Sequence, residues 1–259
     1  ASVIQIAYML NIYAKFLGRE DLSSLVYSLD KGEIWQKAKD AAPKKFISNN
    51  SFTELYHDIG VHEEFNGFFQ QTLFRCVYEG IYNDDMSVVK NLRASDIKDN
   101  IVTLREDNGH TYDFEISSEL ANHLKELGTI DTWERRNGRG ICKIRTTGVF
   151  GDCCFKIENR KGSKENAYRF SYYRILRKIA KDYVGYSLLP FDIYASGIMY
   201  RVKQKLAKHS ITLEEAFTIY AKDRIVHNIV ENELRRCNCN SSVANFRMIV
   251  KGHLDVFNE

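Results

Sequence analysis

Proline is nearly missing from this 259-residue chain, which carries only Pro43 and Pro190. No Gly/Ser-rich run takes its place as a linker, so the one plausible connector is Lys39–Lys45 around Pro43. Internal repeats and low-complexity tracts are absent as well, which excludes solenoids and arrays. No apolar run is long enough to span a bilayer: the apolar start, Ser2–Leu17, is too short, and Gly18 follows as a helix stop. That start also lacks the basic flank and small-residue cleavage site of a signal peptide. The six cysteines never adopt the two-residue gap of a zinc knuckle; Cys153-Cys154 and Cys237-Asn-Cys239 are spaced wrongly for it. They read as reduced thiols of an intracellular protein. The seven histidines give no paired metal spacing, since His57 and His62 are five apart rather than four. No Gly-x-x-x-x-Gly-Lys-Ser/Thr is present, which argues against a nucleotide cradle. Neither a metal nor a cofactor is expected.

What is present is charge, unevenly placed. The formal net charge is +3. Residues 46–132 hold six lysines and arginines against sixteen carboxylates, a balance of −10. Residues 133–181 hold fourteen against four, a balance of +10. Such a block is the electrostatic footprint of a polyanion partner, and Tyr168, Phe170, Tyr172 and Tyr173 are interleaved with its bases. A nucleic acid is the expected partner. A solvated helix face is the plainer reading of the same charges.

The hydrophobic period predicts mostly helix. Helices are expected over residues 2–17, 21–28 and 31–42, after Ser51 with Glu54 as a capping box, and over 65–78 and 82–91. The period then changes to two: Ile101–Arg105 and Thr111–Ile116 alternate around Asp107-Asn-Gly109, which predicts a β-hairpin. Ser117 caps a helix to Leu127. Further helices are expected over 168–183, 191–208, 212–222, 225–235 and 242–250. The apolar residues of the 168–183 helix are Phe170, Tyr173, Ile175, Leu176, Ile179 and Ala180. Arg174, Arg177, Lys178 and Lys181 share the polar face. The fold class expected is mainly α with a small antiparallel β-hairpin or sheet.

This order of elements resembles the catalytic domain of the tyrosine recombinases, the phage-integrase family, over about residues 46–235. Residues 1–45 resemble the end of the family's helical core-binding domain with its linker, and residues 46–259 the catalytic-like domain with C-terminal helices. In the family a helix ends in Thr-Gly-Leu-Arg, and a Leu-x-x-x-Asp-Ile segment leads into a hairpin. Here Gly80 and Ile81 match, Tyr82 stands at the arginine position, and Leu92–Ile97 supplies the following segment. The family's His-x-x-Arg falls on Leu188–Ser196, with Phe191 at the histidine and Tyr194 at the second arginine. The hairpin lysine falls near Arg105-Glu-Asp107, where Arg105 is an imperfect substitute. Neither the Leu-Gly-His step nor the nucleophilic tyrosine is found where counting places them, near Thr218–Asp223 and in Ile225–Glu231.

The resemblance therefore implies a fold without its chemistry. Strand cleavage needs guanidinium forks to hold charge on the phosphate, and losing one such donor typically costs about 3–4 kcal/mol in the transition state. Tyr82 and Tyr194 retain the capacity to donate to a phosphate, or are core phenols. The DNA-gripping residues implied are Arg135, Arg136, Arg139, Lys143, Arg145, Lys156, Arg160, Lys161, Lys164, Arg169, Arg174, Arg177, Lys178 and Lys181. The expectation is a sequence-specific repressor similar to the integrase-like master repressors that maintain lysogeny in temperate Bacillus phages, acting in the bacterial cytoplasm at the nucleoid. Two alternatives stand beside it. One is a divergent active recombinase using Arg75, Arg201, His209 and Tyr220. The other is an accessory module that associates through its C-terminal helix and the stripe Val243, Phe246, Ile249, Val250 and Leu254.

Overall fold

The computed structural model describes residues 3–19, 21–22, 45–61, 67–134, 141–143, 152–156, 167–186, 188–218, 224–239, 242–251 and 253–258. Contacts group the chain into two units, Ala1–Lys44 and Lys45–Glu259. In the first, helix α1 (Val3–Phe16) is followed by Gly18 with φ 67°, a conformation glycine adopts freely. Asn11 and Ala14 are buried, and Tyr8, Met9, Ile12, Tyr13 and Phe16 are exposed. The helices expected over 21–28 and 31–42 fall almost wholly outside the described residues.

The second unit begins with α2 (Asn49–Val61) and α3 (Gly67–Glu79). The α2 cap is Ser48, not Ser51: the Ser51 amide donates to Ser48 Oγ at 3.1 Å. On α3, Phe69, Leu73, Phe74, Cys76 and Val77 are buried. Its end is set by Gly80 at φ 114°, with the Ile81 amide reaching back to the Cys76 carbonyl and the Gly80 amide to Val77. This is a Schellman arrangement. No regular structure follows through Tyr82, and α4 (Ser87–Lys90) is shorter than the helix expected over 82–91. The Asn83 and Asp85 carboxamide and carboxylate accept the amides of Val88 and Ser87, so the local polar side chains delay helix entry.

The alternating segment forms the expected hairpin. Strands β1 (Ile97–Lys98), β2 (Ile101–Arg105) and β3 (Thr111–Glu115) make an antiparallel sheet in that order. Val102 pairs with Phe114 and Leu104 with Tyr112, which sends Val102, Leu104 and Phe114 into the core. Helix α5 (Ser118–Thr129) follows, capped by Ser117, whose side chain accepts the Leu120 amide. The short antiparallel pair β4 (Thr132–Glu134) and β5 (Ile141–Lys143) was not expected at this position. Its strands are only three residues long, too short to show a period.

The remaining elements among the described residues are helices: α6 (Ala167–Ile179) with a π-helical turn at Ala180–Val184, α7 (Pro190–Ala207), α8 (Leu213–Thr218), α9 (Arg224–Arg236), α10 (Val243–Lys251) and α11 (Leu254–Asn258). The last helix extends the structure beyond the expected end at residue 250. Helices α3 and α7 meet backbone to backbone at Gly197, where a Cβ would lie 1.7 Å from the Tyr78 carbonyl oxygen. Around that crossing the core collects α2, α5, α6 and α9. The fold is thus mainly α with a small antiparallel sheet, as expected. No helix among the described residues is long and apolar enough to cross a membrane.

Candidate nucleic-acid interface

The Gly80 turn carries Tyr82 toward the first turn of α7, where Pro190 occupies the helix start and the Asp192 carboxylate accepts the Leu189 amide at 2.8 Å. The three positions that the sequence aligns with catalytic residues consequently come together. The Tyr82 and Tyr194 ring centroids are 5.0 Å apart, Phe191 and Tyr194 6.1 Å, and Tyr82 and Phe191 6.5 Å. What they form is an aromatic cluster.

Both phenols are committed inside the protein. The buried Tyr194 hydroxyl donates to the Cys237 carbonyl at 2.8 Å, bolting α7 to the end of α9. The Tyr82 hydroxyl donates to Asp84 Oδ1 at 3.2 Å and lies 3.4 Å from the Tyr173 hydroxyl on α6. Burial pushes both phenols above their ordinary range, with the Tyr173 and Asp84 neighbours adding to the effect at Tyr82. Neutral, engaged phenols supply neither fixed positive charge nor a ready phenolate. Of the two roles left open for these tyrosines, the geometry gives that of core phenols.

Beside this cluster α6 presents two unlike faces. Tyr168, Tyr172, Leu176 and Ile179 are buried, and the Tyr172 hydroxyl donates to the Phe155 carbonyl at 2.8 Å. Arg169, Arg174, Arg177, Lys178 and Lys181 are exposed. Arg169 lies over the Tyr173 ring at 5.6 Å, and Lys178 approaches Asp182 at 3.4 Å. Phe170 differs from the other apolar residues of the helix. Two residues away from both Tyr168 and Tyr172, it points nearly opposite the buried stripe and is 73% exposed. Of the four aromatics interleaved with the bases, only Phe170 is exposed.

Lys156 must be withdrawn from the candidate interface. It is buried, and its Nζ donates to the Gly128 and Ile130 carbonyls at 2.9 and 2.8 Å, closing the C-terminal end of α5. Arg105 is held by Asp96 at 2.6 Å. Lys143 falls in β5, paired with Thr132. Arg135, Arg136, Arg139, Arg145, Arg160, Lys161 and Lys164 lie outside the described residues.

The alternative catalytic set does not assemble as free cations. Arg75 pairs with Glu79 at 2.7 Å and Glu119 at 2.6 Å, while Arg201 is bound by Glu233 and donates to the Tyr78 carbonyl at 3.0 Å. Both border a cleft of about 560 Å³ shared with Ser117, Lys205, Lys208 and Arg236. His209 is exposed beyond α7, and Tyr220 lies outside the described residues. The sequence reading passes over Glu233. This fully buried carboxylate also holds Lys205 at 2.6 Å and Arg236 at 3.0 Å. Burial raises its pKa, but the surrounding Arg201, Arg236 and Lys205 outweigh that and hold it at about 2. Its signal is a charge on the buried side of amphipathic α9, opposite an arginine midway along α7.

No group of three or more potential metal ligands occurs among the described residues. The described cysteines are free thiols; Cys76, Cys153, Cys154 and Cys237 are buried and Cys239 is partly exposed.

A protein-family model described as "MrpR, C-terminal catalytic domain" matches residues 61–248. The chain belongs to this family. It is a tyrosine-recombinase-type domain, in agreement with the integrase-like order of elements. No curated protein matches the chain. The matched span of the MrpR-type domain begins at the end of α2 and ends within α10.

Proposed function

We propose that this chain binds double-stranded DNA in sequence-selective fashion without cutting it, and that it serves as a transcriptional repressor of the integrase-like kind that maintains lysogeny in temperate phages. The observation that carries the reading is the Tyr82–Phe191–Tyr194 cluster: the three positions that the resemblance aligns with two arginines and a histidine come together as aromatic side chains. If that alignment holds, a neutral aromatic plug fills the phosphate-stabilising positions of a recombinase-type domain. The outward cations of α6 supply what backbone binding needs, because lysines and arginines that neutralise phosphates release counterions and hold a duplex regardless of chemistry. The family's description contains the word catalytic; it is the fold that this chain shares, and the reading departs from that word at the three named positions.

The test is a gel shift over a salt series, with duplexes from the chain's own genomic neighbourhood, alongside a supercoil-relaxation assay. The expected result is a selective shift that weakens steeply with salt, no covalent protein–DNA adduct and no relaxation. The double variant Arg174→Glu/Lys178→Glu should abolish the shift. A covalent adduct or relaxed plasmid would overturn the non-cutting reading in favour of an active recombinase. Absence of any shift down to low salt would overturn the DNA-binding reading.

A further inference from the structure

Phe170 is unusual among the side chains of the second unit: a large apolar ring, 73% exposed, in the first turn of a well-packed helix. One and two turns on along the same line stand Arg174 and Arg177, and Lys181 follows where the π-helical turn begins, all exposed. From Phe170 to Lys181 the stripe runs for about 16 Å at helical rise. An apolar protein patch covering Phe170 would have to bury these cations without partners, which is unfavourable. A surface that offers both anions and a recessed apolar group fits the whole stripe. The major groove of B-DNA is such a surface: it is wide enough to admit a helix, is flanked by phosphates, and carries the C5-methyl of each thymine on its floor. Groove-reading helices commonly present their N-terminal residues to the bases, and Phe170 occupies that end.

Resting on the DNA-binding reading above, we infer that Phe170 is a specificity-determining residue that packs against a thymine C5-methyl in the major groove, while Arg174, Arg177 and Lys181 follow the adjoining phosphates. The phenyl ring supplies selectivity and the cations supply affinity, so the two contributions separate experimentally.

The experiment selects duplexes from a randomised library with the full chain, identifies thymine positions in the recovered consensus, and replaces each thymine by deoxyuridine, which deletes only the methyl. For the parent protein, deoxyuridine at one position should weaken binding by about fourfold, the equivalent of one buried methyl. Phe170→Ala should weaken binding to the thymine duplex by at least as much, and the deoxyuridine change should then have no further effect. Phe170→Leu should restore part of the discrimination. The melting temperature of Phe170→Ala should equal that of the parent, because the ring is not in the core. A parent protein indifferent to every deoxyuridine substitution, or a Phe170→Ala variant that keeps the thymine preference, overturns the inference and leaves DNA binding intact. A parent protein that recovers no consensus and shifts no duplex overturns both.

Discussion

Glu233 illustrates what a single residue contributes here. It has no exposure to water, yet remains charged because Arg201, Lys205 and Arg236 surround it. Its carboxyl is depressed from an ordinary 4.5 to about 2. A depressed carboxylate contributes stability that is fully present above the unfolded pKa and is lost as pH falls through the folded one. The window is therefore about pH 4.5 down to 2, and the linked contribution is roughly 3 kcal/mol. Glu233→Gln, neutral at every pH, should lower unfolding stability at pH 7 by about 3–5 kcal/mol, as expected for a buried ion pair that loses one partner. It should also flatten the stability profile in that acid window. Urea unfolding at a series of pH values checks both, and a variant as stable as the parent at pH 7 would show that the network is dispensable.

Between elements, the decisive contact is the approach of α3 and α7 at Gly197. A methyl group there has no room, since the obstacle is the Tyr78 backbone carbonyl and not a flexible side chain. Gly197→Ala should cost about 3 kcal/mol or more through overpacking, seen as a lower urea midpoint. An unchanged midpoint would mean that the two helices can separate freely. Elements were legible in the sequence where their period was long and clean. The hairpin of β2 and β3, the Ser117 cap and α7 follow directly from alternation, a capping hydroxyl and a leading proline. The late start of α4 and the β4–β5 pair were not, because local side-chain caps and three-residue strands leave no periodic trace. The meeting of Tyr82, Phe191 and Tyr194 was legible only through family resemblance; nothing in local pattern links residues a hundred positions apart. Lys156 was misassigned because a buried lysine looks like any other in a basic run, and the exposure of Phe170 follows from its helical angle relative to Tyr168 and Tyr172 and not from its residue type.

For the whole molecule, the separation along the sequence of a −10 segment from a +10 segment would, on the proposed duplex, make orientation a property of the charge map as much as of any one contact. If Arg174, Arg177, Lys178 and Lys181 each neutralise one phosphate, they contribute about −3 to −4 to the slope of log affinity against log salt. Arg174→Gln should reduce that slope by about 1 and weaken all duplexes alike. A salt titration in which the slope stays unchanged would remove Arg174 from the interface. The bond from Tyr194 to the Cys237 carbonyl has an evolutionary consequence. An arginine at position 194 would now enter a closed aromatic pocket whose hydroxyl partner is one backbone carbonyl, with α9 braced against it. On the proposed non-cutting reading, strand cleavage would therefore require remodelling the seat of that side chain as well as exchanging it, so the aromatic plug would work as a ratchet that a single codon change does not release.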